Sequence, residues 1–404
     1  MKKCVITSAS RTAVGGYLGS LKTVPPEYLG KYVLEDVIER SGIPSKEVNQ
    51  VIMGDVLSHV PNIARVSALL AGYSIEIPAF SVDRQCGSSL QAVISATQAI
   101  VSGDAEVVVA GGAESMSRAP YFMPDNSRYE GFKMGHFQVA DAFAYASSNA
   151  HPSSLYPDLN MGLTAENVAK KYSLTREMVD RFAYESQQKT KDAVEQGRFK
   201  DEILPVEVKL RKSSFIFDKD EHPKPDTTME DLSKLRPVFL RDGTGIVTAG
   251  NSSGMNDGAS AVVVMSEEKA AASGCVPMAE IVSFATAGID PALMGLGPVP
   301  ALKLALKRAD LKLDDIDLFE LNEAFAAQSL GCLIELGMSF DSELYSRVNV
   351  NGGAIAHGHA LGNSGTRLLT TLLYEMKRRD SQYGCVSLCC GGGQGITLIV
   401  KNCR

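Results

Sequence analysis

The chain has 404 residues, of which 45% are hydrophobic and 22% charged, a composition typical of a globular protein with two or three packed units. Its formal net charge of −7 provides no general attraction to nucleic acid or to an anionic membrane surface. The opening apolar run is too short for a secretory core or a bilayer span, and the cysteines form no pair of zinc-binding knuckles. We therefore expect a cytoplasmic protein with reduced thiols, no bound metal, and neither a membrane nor a nucleic-acid partner.

Short β-branched runs alternate with amphipathic stretches along the chain, which is typical of the α/β class. A first strand is predicted almost at residue 1. Further along the chain the pattern predicts buried strands over 107–110 and 262–265, helices over 301–308 and 365–377, and a terminal hairpin with strands over 387–388 and 396–400.

The region 120–241 differs from the rest, because it is richer in charge, proline and tyrosine and contains a predicted helical hairpin over 164–197. We interpret it as an insertion into the first of two α/β halves of similar size. The predicted boundaries are 1–118 together with 255–274 for the first half, 119–254 for the insertion, and 275–404 for the second half.

Cys86 lies in a turn between a short strand and a helical pattern of apolar residues. A thiol at a helix N-terminus faces unpaired N–H groups and the positive end of the helix dipole, and both favour the thiolate. The small residues at 87–89 leave room for a substrate. Cys86 is therefore a candidate nucleophile, although a small residue that fills a tight turn would give the same pattern.

A glycine-rich segment at 349–365 carries His357 and His359. Five glycines in seventeen residues suit a loop that forms a site better than a core element. Two histidines this close could act in acid–base catalysis or bind a metal, but no third ligand is evident nearby. The setting favours catalysis.

Two more segments place polar groups where a ligand could reach them. Cys389 and Cys390 precede the glycine run 391–393 between two predicted strands, and its backbone N–H groups could bind an oxyanion. A simple tight turn would also fit, whereas a Walker-type phosphate loop would not. Asn322 follows a predicted strand, where α/β folds place ligand-facing groups, although it could equally be a helix N-cap.

Together these segments resemble the thiolase family over nearly the whole chain. The resemblance includes the opening strand at 6–12, the run Gly-Gly-Ala-Glu-Ser-Met-Ser at 111–117, and the segments 161–169 and 248–259. It implies a five-layer α-β-α-β-α sandwich of two similar halves with an inserted loop domain.

The resemblance also implies a reaction, the Claisen condensation of two acetyl-CoA molecules to acetoacetyl-CoA and its reversal by thiolysis. Cys86 would be the nucleophile, His359 its activating base and Cys389 the second acid–base group. Asn322 would orient a water that forms one oxyanion site with His359, and the N–H groups of Cys86 and Gly391 would form the other. A thiolate suits this chemistry because it is both a soft nucleophile and a good leaving group.

By the same resemblance, CoA is a substrate and product, no cofactor is tightly bound, and the protein is a homodimer or homotetramer active in fatty acid metabolism. Arg211, in the basic cluster 209–212, would lie near the nucleotide of CoA, although a solvated charge run would give the same composition. Met161, Ser253 and Phe325 would bind the rest of the substrate.

Several positions depart from the usual pattern of the family. Ser89 replaces a glycine, Ala360 follows His359 in place of a proline, and His357 and Cys390 stand where apolar residues are common. The segment 135–158, which includes elements that shape the acyl pocket, also departs and leaves the acyl chain length open. We predict that His359, not His357, is the base, so that replacing His359 with alanine costs more activity.

Two other functions stay open at this point, and two more are disfavoured. One is a degradative 3-oxoacyl-CoA thiolase of broader chain length, and another is a non-catalytic acyl-CoA-binding homologue. A decarboxylating condensing enzyme is disfavoured, because such relatives pair the cysteine with two histidines or with His and Asn rather than with a second thiol. A metal-dependent hydrolase built on His357 and His359 is more remote.

Overall fold

The structure is a computed structural model that describes residues 2–123, 127–132 and 134–403. The predicted insertion at 119–254 therefore includes four positions, 124–126 and 133, that lie outside the described residues. In the described part of the chain, no helix combines the length and the apolar character that are needed to cross a bilayer.

The strands are β1 (Cys4–Thr12), β2 (Gly15–Gly16), β3 (Gln50–Gly54), β4 (Ala79–Val82), β5 (Val107–Ser115), β6 (Tyr121–Phe122), β7 (Ala140–Asp141), β8 (Ile203–Leu204), β9 (Val206–Lys209), β10 (Ser214–Phe217), β11 (Asn256–Ser266), β12 (Ala279–Gly288), β13 (Leu318–Leu321), β14 (Tyr383–Cys390) and β15 (Gln394–Asn402). The helices are α1 (Pro26–Ser41), α2 (Ile63–Leu70), α3 (Ser88–Ser102), α4 (Ser127–Glu130), α5 (Ala142–Asn149), α6 (Met161–Lys171), α7 (Arg176–Glu195), α8 (Met229–Lys234), α9 (Glu267–Ala272), α10 (Pro298–Ala309), α11 (Ala326–Glu335), α12 (Ala354–His357) and α13 (Ser364–Arg379). Short 3₁₀ helices cover Ser45–Glu47, Met116–Arg118, Pro291–Leu296, Leu313–Asp315 and Glu343–Arg347.

The main strands belong to one hydrogen-bonded eleven-stranded sheet, which consists of two mixed parts, the first and the second sheet, joined at their edges. The first has the order β4-β3-β5-β11-β1 and the second the order β12-β15-β14-β13. They are joined by a short antiparallel contact in which Val5 pairs with Glu280 and Ile6 with Ala279. In each sheet parallel strands at the outer edge are followed by antiparallel ones towards the contact, so the two halves have related layouts.

Both sheets are covered by helices on both faces, as the alternation of side chains along the strands shows. In β11, Val262 and Val264 pack against α3 and α13, whereas Val263 and Met265 face α1 and α2. In the second half, β15 directs alternate residues to the α3 and α13 side, while Ile399 packs on the side of α10 and α11. Helices α3 and α13 thus lie between the two sheets, and the predicted five-layer α-β-α-β-α sandwich is confirmed.

The N-termini of the two central helices lie side by side. The Thr366 backbone N–H donates to Ser89 Oγ at 3.0 Å, and Thr366 Oγ1 donates to Ser89 O at 3.1 Å. A Cβ on Gly365 would lie 2.6 Å from the Leu90 nitrogen, so glycine permits this close approach. As a result, the turns that carry Cys86 and His359 are brought to the same place.

The inserted region leaves the first sheet after β5 and returns to it at β11. Its strand β8 pairs in parallel with β1, and its helices α6 and α7 pack on α11 and α12 of the second half. The insertion therefore spans both halves beside the cavity described below. The precise boundaries given above stay a prediction.

One stability prediction follows from the close packing of β5. A Cβ on Gly112 would lie 2.0 Å from Gly362 O and 2.7 Å from Ser89 Cβ, and the backbone oxygen cannot rotate away. We expect Gly112→Ala to lower the free energy of unfolding by about 2 kcal/mol in urea denaturation. Gly288→Ala is the matched control, since a Cβ there meets nothing within 4 Å. Equal stability of the two variants would contradict the packing argument.

Candidate active site

A cavity of about 280 Å³ opens between the two halves and the insertion. Seven of the nine site residues predicted from the sequence line it, namely Cys86, Met161, Ser253, Phe325, His359, Cys389 and Gly391. Of the other two, Asn322 is fully buried and contacts His359, and Arg211 is exposed in the turn between β9 and β10. The structure thus brings together all the residues predicted to be catalytic.

Cys86 lies in a tight turn between β4 and α3. Gln85, immediately before it, has a left-handed backbone conformation with φ of 50°, which a non-glycine residue adopts only under constraint. The constraint comes from hydrogen bonds that close the turn, from Gly87 N to Arg84 O at 3.1 Å and from Ser88 N to Gln85 O at 3.0 Å. The turn therefore fixes the position of the thiol.

Burial in the cavity raises the pKa of Cys86 to about 12. Hydrogen bonds from the backbone N–H groups of Cys86 and Gly391 act in the opposite direction but do not outweigh burial. The expectation that the helix N-terminus keeps Cys86 as a thiolate is therefore wrong for the resting protein. There Cys86 is a thiol, and it needs a base to become a nucleophile.

His359 is the predicted base, and its hydrogen bonds set which ring nitrogen carries the proton. Ser364 Oγ donates to Ala360 O at 2.8 Å, so it accepts from His359 Nδ1 at 2.6 Å. With the proton on Nδ1, the Nε2 lone pair is available to take a proton. The backbone N–H of His359 donates to Asn256 Oδ1 at 2.9 Å, which anchors the residue from a second direction.

Burial, followed by the charge of Arg367, lowers the pKa of His359 to about 3. The imidazole is therefore neutral at neutral pH and is able to act as a base. His359 could therefore take up a proton only if a negative charge formed close to it in the same step.

Loss of the Ser364 hydroxyl should impair catalysis without removing any reacting group. We expect Ser364→Ala to lower kcat by about 10- to 100-fold, because the imidazole then loses the acceptor that fixes its tautomer. Ser329→Ala, which changes a buried serine in α11, is the control for the loss of a buried hydroxyl. Steady-state kinetics of both variants test this, and equal kcat values would contradict the assigned role of Ser364.

Asn322 lies directly after β13, with its side chain beside His359. Its Nδ2 is 3.5 Å from His359 Nε2, while its Oδ1 is buried without a hydrogen-bond partner among the described residues. A buried amide oxygen requires a donor, and a water shared with His359 would supply one. The next helix begins after Phe325, so the alternative interpretation of Asn322 as its N-cap is wrong.

Cys389 and Cys390 are adjacent in β14 but face opposite sides of the strand. Cys390 packs against the central helices, whereas Cys389 lines the cavity. Burial raises the pKa of the Cys389 thiol well above its usual value, and the proximity of Cys86 raises it further. Cys389 is therefore a second neutral thiol in the same cavity.

Gly391 begins the turn between β14 and β15, in which Gly392 and Gly393 have φ values of 82° and 83°. A Cβ on Gly391 would lie 3.1 Å from Gln85 Cγ, so this turn contacts the residue before Cys86. Its N–H group is directed to the Cys86 thiol, together with the N–H of Cys86 itself. Two backbone donors thus converge where an acyl group on Cys86 would place its oxygen.

The remaining wall of the cavity is mostly apolar. Phe143, Ala146 and Ser147 of α5 contribute to it, within the segment 135–158 that departs from the family pattern. Phe239 also lines it and packs edge-on against Phe325, with 6.2 Å between the ring centroids.

Sequence reasoning missed several contributors to the site. Ser364 and Asn256 hold His359, and both occur in segments that carry the family resemblance or form the glycine-rich loop. The available signal for each was a polar side chain within two residues of a glycine. Phe239 gave no signal, because an aromatic residue in an irregular region predicts neither a pocket nor a surface. Phe143 lies in α5, within the segment 135–158 that the resemblance had linked to the acyl pocket.

His357 lies outside the cavity wall. Its ring nitrogens contact Asn351 O, Thr190 Oγ1 and Asp220, whereas those of His359 contact Ser364 and Asn322. The two rings thus have separate partners, and the described residues contain no group of three or more potential ligands able to hold a metal ion. Which histidine is the base remains a prediction.

Comparison with known proteins gives the same family as the sequence motifs. The model of the thiolase N-terminal domain matches residues 4–268, and that of the thiolase C-terminal domain matches residues 275–402. The chain is 49% identical to the acetyl-CoA acetyltransferase of Pseudomonas aeruginosa over 98% of this chain and 99% of that protein. It is also 49% identical to the acetyl-CoA acetyltransferase of Escherichia coli over 99% of both chains.

Two solved structures are similar over 100% of this chain and 99% of their own, each with 41% sequence identity. They are the acetyl-CoA acetyltransferase of Bacillus anthracis, with a TM-score of 0.94, and the human mitochondrial 3-ketoacyl-CoA thiolase, with a TM-score of 0.92. The resemblance inferred from the motifs is confirmed, and the chain belongs to the thiolase family.

Proposed function

We propose that this chain is an acyltransferase that condenses two acetyl-CoA molecules to acetoacetyl-CoA and catalyses the reverse thiolysis through an acyl-Cys86 intermediate. The observation that carries the proposal is one cavity that holds two neutral thiols, Cys86 and Cys389, and a neutral imidazole, His359, whose Nε2 is free to accept a proton. The names of the relatives from Pseudomonas aeruginosa and Escherichia coli support the choice of substrate.

The first half-reaction transfers an acetyl group to Cys86. The Cys86 proton moves to His359 Nε2 while the sulfur attacks the thioester carbonyl, and the resulting oxyanion meets the N–H groups of Cys86 and Gly391. CoA leaves as a thiolate and takes the proton of Cys389. The products are CoA, acetyl-Cys86, an imidazolium and a Cys389 thiolate, with no change in the net charge of the site.

This arrangement explains how a strongly desolvated histidine could act as a base. A lone imidazolium is disfavoured by burial, as the lowered pKa of His359 shows. In the proposed step the imidazolium appears together with the Cys389 thiolate in the same cavity, so each charge offsets the burial cost of the other.

The second half-reaction forms the carbon–carbon bond. The Cys389 thiolate removes a proton from the methyl carbon of a second acetyl-CoA, and the enolate oxygen accepts hydrogen bonds from His359 Nε2–H and from the water held by Asn322. The carbanion attacks the acetyl-Cys86 carbonyl. Cys86 leaves as a thiolate and recovers its proton from His359, which restores the resting site.

Chain length is the part of the proposal that kinetics can test most directly. We expect kcat/KM in thiolysis to be highest for acetoacetyl-CoA and to fall as the 3-oxoacyl chain of the substrate lengthens. A profile that rises with chain length would instead support a degradative thiolase of broader range, in line with the name of the human mitochondrial relative. No turnover and no acylation with any member of the series would support a non-catalytic acyl-CoA-binding protein.

We propose further that Met161, Ser253 and Phe325 contact the pantetheine arm and acyl group, and that Arg211 lies near the CoA nucleotide. The first three line the cavity, which supports their roles. Arg211 is exposed and makes no ion pair among the described residues, so its guanidinium is available to a phosphate. In this account no cofactor is tightly bound, and CoA is consumed and released.

The proposal also covers the assembly and location of the protein. It is a homodimer or homotetramer in the cytoplasm, it acts in fatty acid metabolism, and it has no membrane or nucleic-acid partner. Exposed aromatic side chains near β6 and β7, including Tyr121, Tyr129 and Phe137, support self-association, since water-exposed apolar patches favour protein contacts. Light scattering of the purified protein would measure the oligomer size.

A further inference from the structure

His357 is buried two residues before His359, and its ring has a defined hydrogen-bond pattern. Nε2 is 2.9 Å from Asn351 O and 3.3 Å from Thr190 Oγ1, while the ring packs edge-on against Phe199 at 4.9 Å. Because a carbonyl oxygen only accepts hydrogen bonds, Nε2 must carry a proton.

The other ring nitrogen faces a carboxylate. His357 Nδ1 is 3.6 Å from Asp220 Oδ2, and Asp220 accepts two hydrogen bonds from Arg11, at 2.7 and 2.9 Å, and one from Val14 N at 2.8 Å. Burial alone would raise the pKa of Asp220, but the Arg11 charge and the His357 contact hold it well below its usual range. A lone pair on Nδ1 would be repelled by this carboxylate, whereas a second ring proton would be attracted to it.

Several charged groups surround the ring. Arg11 also pairs with Glu202 at 2.6 Å, and the buried Arg367 interacts with both carboxylates, so these two anions have two cations nearby besides His357. His222 adds no positive charge, because burial, followed by the charges of Lys224 and His357, lowers its pKa to about 4. The second proton on the ring is therefore inferred from the contact between Nδ1 and Asp220. The ionisable groups near the ring are Arg11 from β1, Glu202 before β8, Asp220, His222 and Lys224 after β10, Arg367 from α13, and Arg198, which donates to Asn351.

The covalent link to His359 is short. Helix α12 ends at His357, and only Gly358, with φ of 92°, separates the two histidines. A Cβ on Gly358 would lie 2.3 Å from Asn256 Oδ1, so the chain runs tightly against the residue that accepts the His359 N–H. The loop is thereby held on one side by Asn256 and on the other by His357.

We propose that His357 is a positioning residue, which as an imidazolium ties the loop that carries His359 to Asp220 of the inserted region and so holds the base against Cys86. The role rests on the proposed function, in which His359 takes the Cys86 proton. His357 itself touches no reacting atom in this account. Its effect is on the geometry of the step, and hence on kcat more than on substrate binding.

The test compares His357→Leu and Asp220→Asn with the parent. Asp317→Asn is the matched control, since Asp317 also accepts backbone N–H groups but lies before β13, away from the cavity. Long-range ¹H–¹⁵N spectra of protein labelled on its six histidines report the protonation of each ring. Alkylation of Cys86 by iodoacetamide, followed by mass spectrometry against pH, reports the action of the base without any CoA substrate.

We expect both ring nitrogens of His357 to be protonated at neutral pH in the parent and only one in Asp220→Asn. His357→Leu should slow alkylation and lower kcat by about tenfold with KM changed less than about twofold, whereas the Asp317 control should match the parent. At each pH, alkylation of Cys86 should be slower in His357→Leu than in the parent.

A singly protonated His357 in the parent would overturn the proposal, as would parental alkylation and kcat in His357→Leu. If His357→Leu does not fold, Asp220→Asn carries the same comparison. A parent that turns over no acyl-CoA would refute the proposed function instead, while the ring protonation and the alkylation profile would still decide the role of His357.

Discussion

Cys86→Ala should reduce condensation and thiolysis by about 10⁴-fold or more, the largest effect of any single change in this chain. The variant retains the cavity, His359 and Cys389, but it has no atom that accepts the acyl group. Steady-state rates with acetyl-CoA and with acetoacetyl-CoA plus CoA measure the loss in both directions. Substrate binding should be affected far less, because most of the cavity wall is unchanged.

Cys275→Ala is the matched control for this substitution. Cys275 is likewise a partly buried free thiol, but its Sγ contacts Ser41 O outside the cavity. We expect its rates to stay close to those of the parent. Activity of Cys86→Ala within about tenfold of the parent would show that the acyl group is not carried on Cys86.

The second large effect is expected for Cys389→Ala. Acylation of Cys86 should continue, since CoA is able to leave as a thiolate, whereas removal of the α-proton from the second thioester has no base. Condensation should fall by about 10³-fold while acetyl-Cys86 accumulates. Rapid mixing with acetyl-CoA, followed by quenching, measures both quantities.

Substitution of the adjacent Cys390 shows whether the loss of activity is specific to Cys389 or follows from the loss of any buried thiol. Cys390 is equally buried but packs against the central helices, so Cys390→Ala should lose much less activity than Cys389→Ala. Comparable losses in the two variants, or condensation by Cys389→Ala near the parental rate, would contradict the assignment of Cys389 as the second acid–base group.

Much of the fold could be predicted because its signals are local. The strand at Val262–Met265 alternates between two helical layers, and its four consecutive apolar residues reflect burial on both faces. The predicted helix over 301–308 lies within α10, and the predicted terminal hairpin corresponds to β14 and β15. The contact between β1 and β12 gave no such signal, since a sheet edge is identified only once its partner is known.

For the candidate site, residue types and glycine spacing indicated which groups would meet but not their charge states. The protonation of Cys86 depends on burial by chain segments far away in sequence, and this reversed the expectation drawn from its position near the α3 N-terminus. The tautomer of His359 likewise depends on Ser364, which only the folded loop brings within 2.6 Å.

The departures from the family pattern have different structural contexts. Ser89 uses its hydroxyl to bind the N-terminus of α13, and Cys390 packs against the central helices, so neither of them lines the cavity. Ala360 is buried and its carbonyl accepts the Ser364 hydroxyl. The variation that does reach the cavity is in α5, which is where we expect acyl chain preference to be set.

Acylation of Cys86 by acetyl-CoA is the step on which the proposed reaction depends. Mass spectrometry of the peptide that contains Cys86 detects this step after the purified protein is mixed with acetyl-CoA and quenched in acid. We expect one acetyl group on Cys86, none on Cys389 or Cys390, and its removal when free CoA is added before the quench. An unmodified Cys86, or an acetyl group on a different cysteine that CoA removes, would refute the role of Cys86.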